Sequence, residues 1–372
     1  MPAPPGTIRE GPSDPDIYVV DALDKRPYFD GLVESGQLPP YRGPRARGAR
    51  SRGGHFDHLR PSGATARQFT AANVYATIRL TLLVWEHYLG RSVRWYFRRD
   101  FRRLEVIPRV RANTAFSRPG YIECGYERTG RPPRTYPLGE NFDVVSHETG
   151  HLIVRSVMGH PTHPEGLEQR AREEAFADLV AIVTLLHLQP AVIRLLDRTR
   201  GNLFSANVLS RVGELSRTTV ARRANNDKTM ETLAWDPDPR VFRYELAAPF
   251  AAGGYDALVD LYEAALVRRR AIPRELADAS FDDDGKMLPE IQREFADRYR
   301  GRSAVFEEAL LEARDTFATV VAAAWGRMSP YAAFPDALEA ILAAARQLHG
   351  AATARVIREA FEWRGIQPGP AA

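Results

Sequence analysis

DVVSHETGHLI, residues 143–153, and EEAFADLVAIV, residues 173–183, are the two stretches on which the reading of this chain turns. In the first, His147 and His151 stand four residues apart, so at 3.6 residues per turn both imidazoles leave one face of a helix and can chelate one metal ion. Glu148, adjacent to the first histidine, cannot easily join that chelate but can reach a water on the metal, which is a general base's position. Val144, Val145, Leu152 and Ile153 flank the pair and predict a largely buried helix, where two imidazoles and a carboxylate are costly unless a metal compensates them.

In the second stretch, Glu174 comes 23 residues after His151, with Asp178 one helical turn further on. One of these acids can bind the metal while the other orients a histidine. Glu174 is the chosen ligand because it shares its helix face with Asp178; Glu173 is the alternative. Two imidazoles and one carboxylate leave a fourth tetrahedral position for water, the arrangement of catalytic rather than structural zinc. Ala175 and Ala177 are small enough to let this helix approach the first one closely.

Around these motifs, Val74, Ile78, Leu82 and Trp85 recur at three- and four-residue spacing and predict a helix over 70–89, ending before Gly90. Two β-rich runs, 104–110 and 121–126, are separated by the turn formers Ser117, Pro119 and Gly120 and predict a sheet ahead of the motif helix. After Asn141 the pattern is helical over 143–158, 169–187, 242–270, 303–325, 330–348 and 351–363. Residues 1–65, rich in Pro, Gly and Arg, read as an irregular N-terminal extension. The expected division is therefore 1–65 as that extension, 66–160 as an α+β lobe ending in the histidine helix, and 161–372 as a helical lobe carrying the third ligand. Asp282, Asp283 and Asp284 lack the alternating ligand spacing of a calcium loop and read as a solvated turn.

Composition narrows the function classes. With 372 residues and 44% hydrophobic content, the chain can bury a sizeable core. Its 51 basic and 47 acidic residues nearly balance, so nucleic-acid binding does not follow, although all but three of the basic residues are arginine. The first thirty residues lack the apolar core of a signal peptide, and no apolar stretch reaches the roughly 18 residues of a membrane span. Cys124 is the single cysteine, which excludes an intrachain disulfide; a cytoplasmic protein is the expectation. On its strand Cys124 reads as a small apolar residue rather than a thiolate capping the metal, and His160 and His163 read as residues of a surface loop.

HETGH followed by EEAFAD resembles the gluzincins of the thermolysin type, in which a Glu-x-x-x-Asp helix follows the HExxH helix after about twenty residues. The resemblance implies that His147, His151 and Glu174 bind one zinc ion, that Glu148 is the base and that Asp178 hydrogen-bonds His147. ANTAFSRPGYIECGY, residues 112–126, resembles the family's edge strand, which holds an extended substrate by backbone hydrogen bonds. Thr114, Ala115 and Phe116 take those positions, Thr114 in place of an asparagine. YELAAPFAAGGYD, residues 244–256, resembles a later segment, with Pro249, Phe250, Tyr255 and Asp256 in register and Tyr244 where the family has an oxyanion-binding histidine. Arg243 stands beside it and could add charge. The likeness runs from about Ala72 to Leu261; the family's secretion signal and propeptide are not visible. It implies an α+β, thermolysin-like two-lobed zincin, with a small sheet-containing N-terminal lobe, a mainly α-helical C-terminal lobe and the motif helix at the base of the cleft. The implied activity is hydrolysis of a peptide or protein substrate. Two other readings stand beside it: a zinc-binding pseudopeptidase that recognises a partner, suggested by Tyr244, and a zinc hydrolase of a non-peptide amide.

Overall fold

The computed structural model describes residues 7–369 apart from 31, 32, 35, 130–133, 206, 208, 210, 215–219, 225 and 280–287; the acidic run 282–284 lies outside the described residues. The chain divides into two compact units, one comprising Met1–Val84, Val93–Ser156 and Gly213–Thr219, the other Trp85–Ser92, Val157–Val212 and Val220–Ala372.

The first unit is built on a four-stranded sheet. Its strands are β1 (Ile17–Val19), β4 (Leu104–Ile107), β5 (Ala115–Arg118) and β6 (Tyr121–Cys124), in the order β1-β4-β6-β5, with β5 at an edge. The pairs β1–β4 and β4–β6 are parallel, and β5 runs antiparallel to β6. Every residue of β4 and β6 is buried, the continuous pattern of strands covered on both faces. Pro119 and Gly120 turn the chain from β5 to β6; Gly120 has φ +88°, and a Cβ there would meet the Phe101 ring at 2.4 Å. Two hairpins complete the strands, β2 (Phe29–Asp30) with β3 (Val33–Glu34) and β7 (Tyr126–Thr129) with β8 (Arg134–Pro137).

The helix expected over 70–89 is α1 (Ala66–Leu89), and its stripe Val74, Ile78, Leu82 and Trp85 is fully buried. Near its start, Asn73 Nδ2 donates to the Gly139 carbonyl at 3.1 Å, fixing the turn that leads into α2 (Phe142–Met158).

The N-terminal residues correct an expectation. Read as an irregular extension, they supply β1 and, through Val20, Ala22, Tyr28 and Tyr41, join Ile107, Val110 and Tyr121 in a buried cluster. Their attachment is polar as well as apolar. Glu105 and Glu123, on the two inner strands and wholly buried, accept hydrogen bonds from this segment. Glu105 takes the Tyr18 and Tyr28 hydroxyls, each at 2.8 Å, and the Tyr41 amide at 2.9 Å. Glu123 takes the Tyr28 amide at 2.8 Å and pairs with the buried Lys25 ammonium.

The second unit is mainly helical. It contains α3 (Leu167–Leu185), α4 (Gln189–Thr199), α5 (Pro239–Arg268), α6 (Arg274–Ala279), α7 (Pro289–Tyr299), α8 (Ser303–Trp325), α9 (Phe334–His349) and α10 (Ala351–Trp363). A strand pair, β9 (Arg211–Glu214) with β10 (Val220–Arg223), falls between the segments 169–187 and 242–270 read as helical. The long α5 packs against α3, α8 and α10. Close approach to α3 requires Gly254, where a Cβ would meet a Leu179 methyl at 2.7 Å. On the α3 side Ala175 and Ala177 are fully buried, and the helix is buried along nearly its whole length. Among the described residues no single helix is long and apolar enough to cross a membrane.

Candidate metal centre

Helix α2 begins where the Asn141 side chain accepts the Val144 amide at 3.1 Å, a side-chain cap on an otherwise orphan donor. Its apolar face buries Val145, Leu152 and Ile153, and Ser146 accepts the Thr81 hydroxyl of α1 at 3.1 Å. With that face fixed, His147 and His151 both leave the other, as their spacing requires. Their Nε2 atoms lie 3.1 Å apart and their rings stand at 88°. His147 is buried and His151 half-buried.

Between the two histidines, Glu148 Oε2 accepts the Ser117 hydroxyl of β5 at 2.7 Å. Ser117, read from sequence as a turn former, is instead the third residue of the edge strand. Residues two apart on a strand share a face, so Ala115 and Ser117 stand on the same side of β5. A hydroxyl two residues beyond Ala115 was the available signal. Thr114 precedes the strand and is exposed, its carbonyl taken by the Gly125 amide at 2.9 Å, and Ala115 and Phe116 pair with Cys124 and Glu123.

On α3, Glu174 and Asp178 are both buried. Glu174 Oε1 lies 3.5 Å from Arg243 Nε of α5. The same guanidinium donates to the Tyr244 hydroxyl and lies over the Tyr244 ring, 4.5 Å from its centre. Arg243, Tyr244 and Glu174 are thus brought together, with the tyrosine ring still partly exposed.

One ligand atom from each of His147, His151 and Glu174 lies within 4.8 Å of the others, and among the described residues this is the one group of histidines, cysteines and acids so arranged. Tetrahedral zinc with donors at about 2.0–2.2 Å holds neighbouring donors roughly 3.3–3.6 Å apart, a spacing that falls within that limit.

Two other residues singled out from sequence lie elsewhere. Cys124 is on the interior strand β6 rather than the edge and is fully buried. Burial, with the charges of Glu148 and Glu123 adding, pushes its thiol far above the ordinary range, which leaves it an inert apolar residue. In the loop after α2, the Thr162 and His163 amides both donate to the Tyr331 hydroxyl at 2.7 Å, and the His163 ring stacks on Tyr331. His163 therefore helps fasten its loop.

No protein-family model and no curated protein matches the chain. Among solved structures it is similar to the precursor of protealysin, a metalloproteinase from Serratia proteamaculans, with a TM-score of 0.53 over 97% of this chain and 90% of that one at 11% sequence identity. A likeness at that identity speaks to the fold: a mixed α+β chain with a small sheet and mostly helical content.

Proposed function

We propose that the protein is a zinc-dependent metalloendopeptidase. The observation that carries this reading is the convergence of His147, His151 and Glu174 with a glutamate, Glu148, placed between the two histidines in sequence. Two neutral imidazoles and one carboxylate are the donor set of a hydrolytic zinc site. The likeness to a metalloproteinase precursor supports the same reading.

Bound there, zinc would polarise the scissile carbonyl and make a water acidic enough to attack it. The remaining work falls to the chain. Glu148, one oxygen held by Ser117, removes the proton of the attacking water through its other oxygen and returns it to the leaving amine. Asp178 holds His147 in the tautomer that presents a lone pair. Tyr244 donates its hydroxyl to the developing oxyanion, and Arg243 adds positive charge. The free edge of β5, around Thr114, Ala115 and Phe116, offers main-chain groups to an extended peptide by strand addition.

Tyr244 also favours a second reading, because a tyrosine stands where the resembled family has its oxyanion-binding histidine. In that reading the protein binds zinc and recognises a peptide or partner without cleaving it, while hydrolysis of a non-peptide amide would use the same residues. Zinc analysis of the purified protein, combined with a peptide-library cleavage assay, separates these. About one zinc per chain with cleavage that Glu148→Gln abolishes supports the peptidase. Zinc without cleavage of any peptide favours the recognition reading, and metal content near zero after zinc-supplemented purification rejects both.

A further inference from the structure

A small cavity of about 220 Å³ opens in the first unit, bordered by residues 22–25, the start of α1, the residues that follow β4 and the β7–β8 hairpin. Main-chain bonds fix its walls. The Arg111 amide donates to the Lys25 carbonyl at 2.9 Å, and the Tyr126 amide donates to the Ala112 carbonyl at 2.8 Å. Arg128 and Thr135 are partners across the hairpin, so their side chains stand on one face, and Tyr126, two residues before Arg128, shares it.

The lining is mostly positive. Lys25, Arg67, Arg109, Arg111 and Arg128 border the cavity, with Asp24 as the one acid among its lining residues. Three of these cations have carboxylates: Lys25 pairs with Glu123, Arg67 with Asp21 and Arg111 with Asp24. The last pair is more than half exposed on both sides, so it contributes little and exchanges readily for another anion. Among the described residues, Arg109 and Arg128 make no ion pair. Asp21 is close enough to feel the charge of Arg109 but is already held by Arg67. Half-buried Arg109 makes one long side-chain hydrogen bond, from Nη2 to the Thr70 hydroxyl at 3.5 Å, and that hydroxyl in turn donates to Glu140. Its Nε is buried without an acceptor, so an anion in the cavity would meet Arg109 through its Nη groups. Arg128 is exposed and lies over the Tyr126 ring, 5.4 Å from its centre.

A separate observation points the same way. The first unit carries 24 basic and 16 acidic residues, whereas the second carries 27 and 31. The field of the first unit therefore draws anions toward this cavity.

We propose that the cavity binds a phosphate dianion, either free or as the head of a small monoester. Two guanidiniums without carboxylates match its two charges. Donors arriving from two elements, the residues after β4 and the strand β7, suit an anion whose oxygens point several ways, whereas a carboxylate offers only one edge. Thr135 adds a hydroxyl, and Val110 and Tyr126 give the carbons of an ester an apolar wall.

Isothermal calorimetry on the full-length protein at about 0.15 M salt tests this, with inorganic phosphate and glycerol 1-phosphate as probes. We expect saturable binding at one site per chain with a Kd below about 1 mM. Saturation by either probe supports the site, and the tighter of the two tells whether the free ion or the ester is its ligand. Arg128→Ala, at an exposed position without risk to the fold, should weaken binding about tenfold, and Arg109→Gln by about as much or more. Arg47→Ala, which removes an exposed arginine outside the cavity, should leave binding unchanged. The proposal is overturned by absence of saturable heat up to about 10 mM of either probe, or by succinate binding more tightly than both. Arg47→Ala weakening binding as much as Arg128→Ala does would also overturn it, as the mark of diffuse surface charge. Binding that Arg109→Gln and Arg128→Ala both leave untouched would overturn it in favour of phosphate held at the metal centre. No residue of that centre enters the proposal, which stands or falls apart from the peptidase reading.

Discussion

Ser117 on the edge strand donates its hydroxyl to Oε2 of Glu148 on the histidine helix, at 2.7 Å. The bond joins the strand proposed to hold substrate to the carboxylate proposed to move the proton, and it leaves Oε1 as the oxygen that can accept one. Hydrogen bonds to charged groups contribute about 1.5–3 kcal/mol. Ser117→Ala is therefore expected to lower kcat roughly ten- to a hundredfold with KM little changed, and Ser117→Thr to restore most of it. Steady-state kinetics on a cleaved library peptide decide the matter; equal loss in both variants, or a change confined to KM, rejects the positioning role.

Arg243 and Tyr244 are expected to separate under mutation. Arg243 lies 3.5 Å from the carboxylate of Glu174, so its charge repels a cation held there. Arg243→Ala should let the protein retain metal several-fold better against a chelator. Tyr244→Phe, which removes one donor, should leave retention unchanged and cut turnover by about a hundred- to a thousandfold. A tyrosine variant with full turnover would remove Tyr244 from the chemistry.

Asp178→Asn should weaken metal binding by about ten- to a hundredfold while the protein stays folded. Asp178 is 2% exposed one turn beyond Glu174, and the asparagine keeps its shape. Chelator competition alongside circular dichroism is the check, and unaltered affinity with native ellipticity would dismiss the role.

Much of the metal centre was legible because its geometry is local. His147 and His151 meet through helical periodicity, and the same periodicity marks α1, α3, α5, α8, α9 and α10. The N-terminal segment was illegible for the converse reason. It is held by Lys25, Tyr18, Tyr28 and Tyr41 satisfying Glu105 and Glu123 from about 64 to 98 residues away, a polar pairing with no periodic signature. Ser117 was misread because Ser, Pro and Gly within four positions suggest a turn, whereas only Pro119 and Gly120 make it. The acidic face of α5 was visible as spacing, but the pairing of its Asp256 depends on the fold, which brings Arg364 to it from 108 residues away.

Those buried pairings make the N-terminal segment part of the first unit's stability. Lys25→Met leaves the Glu123 carboxylate buried without its cation, a loss of about 3–5 kcal/mol, whereas Lys25→Met with Glu123→Leu should recover a large part of it. Urea denaturation measures both. A single variant as stable as the wild type would mean that the segment is only loosely attached.

The last prediction concerns pH and two carboxyls of α5, Asp256 and Asp260. Asp260 titrates at about 8 in the folded protein against an ordinary 3.8, so its folded value is raised. A raised group contributes stability that is fully present below its unfolded pKa and is lost as pH rises through the folded one. Between about pH 4 and 8 the wild-type protein is thus progressively burdened by a carboxyl that resists ionisation. Asp260→Asn carries no such group. Its melting temperature should exceed the wild type's at pH 8, and the difference should shrink steadily as pH falls toward 4. Asp256→Asn should behave oppositely, because it strips the partner from Arg364, which is 1% exposed, and so destabilises the protein even at pH 8. Differential scanning calorimetry at three pH values distinguishes the two. An Asp260→Asn protein less stable than wild type at pH 8, or a difference independent of pH, would show that Asp260 is ionised and already compensated in the folded chain.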